Sequence, residues 1–145
     1  MLINLLLGVG TMTVCLLLQS LLLMVAGMYY RSHREDINNT SFGSSILVVN
    51  GVMQLLVIGN LAQVAIWSLL FVWLGEFGTF VDAFYHSAVN FATLGYGDIV
   101  MSEEHRLLGP LEAINGVLMI GVSTAVLMTA FQDSMRRTVQ ARNGG

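Results

Sequence analysis

Six consecutive residues have types and spacing that could bind an ion: Thr93, Leu94, Gly95, Tyr96, Gly97 and Asp98. Two glycines alternate with larger residues, and glycine takes without steric cost backbone conformations that residues with a Cβ resist. The Thr93 hydroxyl and the Asp98 carboxylate add oxygen atoms near the two ends. The pattern therefore offers oxygen ligands that come mainly from the backbone. We find no paired base and nucleophile and no ligand cluster at membrane depth, so we expect the protein not to be an enzyme.

A short helix must position this TLGYGD segment (residues 93–98). Thr79 is followed three residues later by Asp82, which is the capping-box pattern and predicts a helix over residues 80–92. Beyond the segment, Pro110 fits the first turn of a further helix. The stretch 76–106 is too apolar for a simple loop and too short to cross a membrane and return. We therefore expect the short helix to be re-entrant.

The charged residues are few and unevenly placed in this chain of 145 residues. It is 55% hydrophobic and 10% charged, with a mean hydropathy of +0.73, whereas soluble proteins carry about 25% charged residues. No charge falls in 1–30 or 37–75, and only Glu112 falls in 107–132. Because about 20 apolar residues cross a bilayer, we predict an all-α membrane protein with three transmembrane helices. The re-entrant helix and the TLGYGD segment lie between the second and third crossings.

The arginines predict the orientation in the membrane. With three crossings, five of the six arginines lie on one side, and only Arg106 lies in the 76–106 stretch. The positive-inside rule then places the N-terminus outside and the C-terminus in the cytoplasm, and we expect the plasma membrane of the cell. The predicted parts are an N-terminal transmembrane helix (1–30), a cytoplasmic loop (31–45), a domain containing the TLGYGD segment (46–135) and a short cytoplasmic tail (136–145).

Composition also limits the partners. The net charge is −3 and no segment concentrates positive charge, which argues against nucleic acid. The single cysteine, Cys15, can form neither an internal disulfide nor a cysteine-based metal cage, and we expect it to be buried. The pieces outside the membrane are too short for a soluble ligand-binding domain. We expect no cofactor, and a lipid bilayer as the environment.

Polar and aromatic residues of the second helix, predicted over 46–74, have two possible roles. Asn50, Gln54, Asn60 and Gln63 favour hydrogen bonds between packed helices, with an ion-lining role left open. We expect Trp67, Trp73 and Phe77 toward the outer membrane interface. A polar turn is predicted over 38–45, with Ser44 or Ser45 capping the helix.

The order of helix, short helix, glycine-bearing hexapeptide and helix resembles the potassium-channel family over residues 46–135. The TLGYGD segment is similar to that family's selectivity filter, with Leu94 where valine or isoleucine is more usual. The resemblance implies a potassium channel, with 46–135 as the pore domain of a homotetramer. K⁺ as the transported ion would bind the backbone carbonyls of Thr93, Leu94, Gly95 and Tyr96 and also the Thr93 hydroxyl. It also implies that Tyr96 braces the segment against the short helix, and that Gly97 and Asp98 complete the filter, with Asp98 at the outer mouth.

Several residues leave alternatives open. Ala92 and Asn90, which lie behind the predicted filter, depart from the family pattern. The alternatives to a potassium channel are a less selective cation channel and a non-conducting channel subunit. Gly116 is interpreted either as a gating hinge or as a site of close helix packing. We expect His86 to be packed, Glu112 to favour the start of its helix through the dipole, and Ser123 and Thr124 to line a cavity. No membrane helix carries spaced arginines, which argues against a voltage sensor.

Overall fold

The computed structural model describes residues 1–33 and 42–143, and these fold into four α-helices. They are α1 (Leu2–Ser32), α2 (Phe42–Trp73), α3 (Phe80–Phe91) and α4 (Leu108–Asn143). No strand occurs in these two ranges. Three helices are long and apolar enough to cross a membrane, over Leu2–Ser32, Ser45–Trp73 and Leu108–Arg137. The predicted all-α fold with three membrane spans is confirmed.

Two helices are longer than the sequence pattern predicts. The helix α2 begins at Phe42, so the predicted turn and serine cap at residues 44 and 45 are wrong. Residues 34–41 of the predicted loop and 144–145 of the predicted tail lie outside the described residues. The helix α4 continues to Asn143, beyond residue 135, where the predicted domain that contains the TLGYGD segment ends. Near the end of the candidate span, Arg137 Nε donates to Asp133 Oδ2 one turn away at 2.8 Å, and a pair at this spacing stabilises a helix.

The described residues form two compact units, and the first contains the TLGYGD segment. It consists of Met1–Gln19 and Asn60–Ile120, and its buried core residues include Cys15, Trp67, Phe71, Ala83 and Leu108. Trp67 is fully buried, with its ring 5.9 Å from that of Phe71 one turn away. Trp67 therefore packs inside the protein and does not face lipid, while its expected depth near the outer interface stays a prediction. Trp73 is 75% exposed, as an interfacial residue requires.

A polar contact joins α1 and α2 inside this unit. Gln63 Nε2 donates to Gln19 Oε1 at 2.8 Å, and both side chains are buried. The interhelical role predicted for Gln63 is confirmed. Asn50 and Gln54 belong to the second unit and are exposed in the single chain.

The second unit consists of Ser20–Gly59 and Gly121–Gly145, with Ala26, Val52 and Leu56 at its core. The Tyr30 hydroxyl donates to Asp133 Oδ2 at 3.0 Å, which joins the end of α1 to α4 within this unit.

Candidate functional site: the TLGYGD segment

The backbone of the TLGYGD segment alternates in handedness. Thr93, Gly95 and Gly97 have positive φ values of 58°, 59° and 73°, whereas Leu94 and Tyr96 between them do not. The glycines thus take the conformations that the sequence predicts. Thr93 was not expected to do so, because a β-branched residue resists this region at a cost of about 1–2 kcal/mol.

This alternation determines where the carbonyl groups can point. In an extended strand, successive carbonyls alternate in direction, and a positive φ at every second residue departs from that pattern. A row of carbonyl oxygens on one side suits a cation that has lost its water. Within residues 1–33 and 42–143, no group of three His, Cys, Asp or Glu side chains could hold a metal. The backbone carbonyls stay the predicted ligands.

The helix α3 holds the start of the segment directly. Thr79 is its N-cap and accepts from the Asp82 backbone N–H at 3.1 Å, while its own hydroxyl donates to Asp82 Oδ2 at 2.7 Å. This confirms Thr79 as the predicted N-cap, although the Asp82 carboxylate bonds to the Thr79 hydroxyl and not to its backbone N–H. At the other end, the N–H groups of Thr93 and Leu94 donate to carbonyls of the last helical turn, each at 2.8 Å. The first residues of the segment are thus anchored to α3.

Two side chains of α3 hold the far end of the segment. The Tyr85 hydroxyl donates to Asp98 Oδ2 at 2.7 Å. This bond is the main reason that the pKa of Asp98 lies below its ordinary 3.8 and that the pKa of Tyr85 is raised. The next residue, His86, donates from Nδ1 to the Ile99 carbonyl at 2.9 Å. The segment is therefore attached to α3 at both ends.

His86 is packed, as expected, and it is neutral. Its side chain is buried, and its Nε2 accepts from Asn90 Nδ2 at 2.8 Å, which requires an unprotonated Nε2. Burial lowers the pKa of His86 below 6.5, although the bond to Ile99 and nearby acids oppose this. Asn90, which departs from the family pattern, therefore has His86 as a hydrogen-bond partner on the same helix.

Residues of α4 lie behind α3. Glu112 is fully buried and hydrogen-bonds to Ser87, and it lies 3.5 Å from Asn90 Nδ2. Glu112 was expected in the first turn of its helix, where the dipole favours an acid. The helix begins at Leu108, so Glu112 is its fifth residue and lies beyond that turn, in contact with Ser87 of α3. A Cβ added at Gly116 would lie 2.8 Å from the carbonyl carbon of Phe91 and closer still to its oxygen. The contact at Gly116 supports close packing, and its role as a hinge stays a prediction.

The prediction that Tyr96 braces the segment against α3 does not hold within a single chain. Tyr96 is 65% exposed and Leu94 is 54% exposed, so neither is packed inside its own chain. Tyr85, rather than Tyr96, connects the segment to α3. Beside Thr93, an open groove of about 320 Å³ is lined by Ala113, Ile114, Val117 and Leu118 of α4. The predicted lining by Ser123 is wrong, because Ser123 is buried.

The acidic residue Glu76, between α2 and α3, is held by three hydrogen bonds. Glu76 accepts from the Ser102 backbone N–H at 2.7 Å, the Ser102 hydroxyl at 2.6 Å and His105 Nδ1 at 2.6 Å. Burial alone raises the pKa of Glu76, but these hydrogen bonds outweigh burial and lower the pKa below 4.5. Glu76 therefore holds the loop that follows the segment, whereas Asp98, Glu103 and Glu104 are exposed.

Comparison with known proteins identifies a family for part of the chain. A family model described as an ion channel matches residues 59–133, just over half of the chain. The matched range includes α3, the TLGYGD segment and most of α4. No curated protein and no solved structure gave a significant match.

Proposed function

Because the chain belongs to the ion channel family, we propose that it is a K⁺-selective channel and that the TLGYGD segment is its selectivity filter. The coarser conclusion, a membrane-embedded ion channel, follows from the family and from the three apolar helices. The observation that supports K⁺ selectivity is the alternation of positive φ at Thr93, Gly95 and Gly97. Passive conduction needs no covalent chemistry and no resident cofactor.

The proposed chemistry is the replacement of water by carbonyl oxygens. A K⁺ ion that enters the filter loses its hydration shell, and the carbonyls of Thr93, Leu94, Gly95 and Tyr96 take the place of that water. The Thr93 hydroxyl adds a ligand at the inner end. Several sites in succession bind the ion strongly enough for entry, and weakly enough for it to leave.

One chain cannot surround an ion, and this supports assembly of several copies. Each chain supplies one carbonyl per level of the filter, so a closed ring requires several copies related by rotational symmetry. Ala92 and the TLGYGD segment are exposed in the single chain, although buried residues of α3 lie directly before them. We propose a homotetramer, in which neighbouring copies cover the apolar side chains of Leu94 and Tyr96.

Electrostatics favours a cation at both ends of the proposed filter. The helix α3 ends at Phe91, next to the filter, and a helix C-terminus carries about half a negative charge. At the outer end, Asp98, Glu103 and Glu104 of four copies form an acidic vestibule that raises the local cation concentration. Glu76 contributes less, because its side chain is largely buried against Ser102 and His105.

The proposed placement follows the arginine distribution. We place the N-terminus outside, the C-terminus in the cytoplasm and the protein in the plasma membrane. The proposed parts remain an N-terminal transmembrane helix (1–30), a cytoplasmic loop (31–45), the pore domain (46–135) and a short tail (136–145).

A flux assay tests whether the filter conducts. Purified protein in K⁺-loaded vesicles should release K⁺ when a proton carrier balances the charge. Gly95→Ala should abolish the release, because alanine resists a φ of 59°, although nothing lies within 4 Å of the added Cβ. Gly78→Ala is the matched control, since that glycine is equally open and has no positive φ.

The outcomes separate the alternatives. Release of K⁺ by Gly78→Ala but not by Gly95→Ala supports the proposal. Equal release by both variants contradicts it, because conduction would not depend on the filter backbone. Release of Na⁺ as fast as K⁺ favours the less selective cation channel, and no release from the wild type favours a non-conducting subunit.

A further inference from the structure

A buried acid of α4, Glu112, has no part in the proposed filter chemistry. Its side chain is fully buried. Within the described residues, it belongs to neither ion pair, that of His105 with Glu76 or that of Arg137 with Asp133. A buried carboxylate without a cation is strongly unfavourable. An acid at membrane depth therefore needs a physical explanation.

The hydrogen bonds of Ser87 indicate which group carries the proton. Ser87 Oγ lies 2.9 Å from the Val64 carbonyl oxygen and is also within hydrogen-bonding distance of Glu112 Oε1. A hydroxyl has one hydrogen, and the Val64 carbonyl can only accept. The Val64 carbonyl also accepts from Ser68 Oγ at 2.6 Å, so the single hydrogen of Ser87 can go either to Val64 or to Glu112. Because a carboxylate here would be buried without a cation, we take Ser87 to donate to Val64 and the carboxyl group to donate to Ser87. A neutral carboxylic acid satisfies both bonds.

The second carboxyl oxygen fits the same assignment. Glu112 Oε2 lies 3.5 Å from Asn90 Nδ2, whose other hydrogen is donated to His86 Nε2 at 2.8 Å. His86 then donates from Nδ1 to the Ile99 carbonyl at 2.9 Å. One connected chain of hydrogen bonds thus runs from α4, through α3, to the backbone just beyond the filter.

We infer that Glu112 is a neutral carboxylic acid that acts as a positioning residue, joining α4 to α3 and, through Asn90 and His86, holding the outer end of the filter. The titratable groups that face it are the Cys15 thiol from α1 and, through Asn90, the His86 ring from α3. The side of α2 supplies the Val64 carbonyl. The neutral acid provides one donor and one acceptor without a buried charge.

Infrared spectroscopy of the full-length protein in membranes tests the protonation state. At neutral pH the wild type should show a carboxylic-acid C=O stretching band that is absent from Glu112→Gln. Glu103→Gln is the matched control and should keep the band, because Glu103 is exposed. A wild-type spectrum without the band overturns the inference, and this result needs no variant to fold.

Currents test the positioning role, which rests on the proposed function. Glutamine keeps one donor and one acceptor, so Glu112→Gln should conduct K⁺ within about twofold of the wild type. Glu112→Ala and Ser87→Ala should each lower the K⁺ current by about tenfold, the effect of losing one buried hydrogen bond. Equal loss in Glu112→Gln and Glu112→Ala overturns the role. If the wild type conducts no K⁺ but shows the band, the proposed function fails and the neutral acid stands.

Discussion

Replacing Gly116 by alanine should destabilise the contact between α4 and the end of α3. The added Cβ would lie 2.8 Å from the Phe91 carbonyl carbon and 2.9 Å from its Cα. Carbon atoms in contact are normally about 3.5–4.0 Å apart, so one backbone must move by about 1 Å. Phe91 lies two residues before Thr93, and the movement should therefore disturb the filter.

The magnitude follows from two opposing terms. Alanine in place of glycine stabilises a helix interior by about 1 kcal/mol. Overpacking a buried site costs about 1–3 kcal/mol. Gly121 lies on the same helix with nothing within 4 Å of an added Cβ, so Gly121→Ala shows the first term alone. Gly116→Ala should therefore be less stable than Gly121→Ala by about 1–3 kcal/mol.

Thermal unfolding of the two variants in the same detergent measures this difference, and K⁺ currents measure its effect on the filter. We expect Gly116→Ala to unfold at a lower temperature than Gly121→Ala and to conduct less K⁺. Equal unfolding temperatures and unchanged currents would refute the packing argument. Equal stability with altered opening and closing rates would instead support Gly116 as a hinge.

Three further predictions concern the elements around the filter. Thr79→Ala removes the N-cap of α3 and should lower stability by about 1 kcal/mol, whereas Thr79→Ser should not, as measured by thermal unfolding. Tyr85→Phe removes the main cause of the lowered pKa of Asp98, so outer protons should reduce the current at a higher pH than in the wild type. Burial lowers the pKa of His86 in the folded state, so the unfolded chain binds the proton first. The contribution of His86 to stability should be full above pH 6.5 and should fall as the pH drops below 6.5. A melting temperature that increases as the pH is lowered from 6.5 contradicts this prediction.

Local patterns predicted much of the architecture. The uncharged blocks gave the three spans, because the cost of burying charge in lipid acts on each helix by itself. The N-cap at Thr79 involves neighbouring residues only, and it was predicted correctly. The glycine conformations at 95 and 97 follow from residue type.

Contacts between helices could not be predicted in the same way. The bond between Glu112 and Ser87 depends on how α4 and α3 are rotated about their axes, which no short pattern specifies. The burial of Trp67 has the same origin. The positive φ of Thr93 opposes its residue preference and results from the surrounding structure. In the sequence, the signal for the hydrogen-bond network behind the TLGYGD segment was Glu112, the single charged residue in 107–132.

The reversal potential of the purified protein in a planar bilayer, with K⁺ on one side and Na⁺ on the other, tests the central claim most directly. We expect current that reverses near the K⁺ equilibrium potential, because rings of carbonyls from the TLGYGD segment replace the water of K⁺. A robust current that reverses near zero would contradict K⁺ selectivity and show a general cation pore.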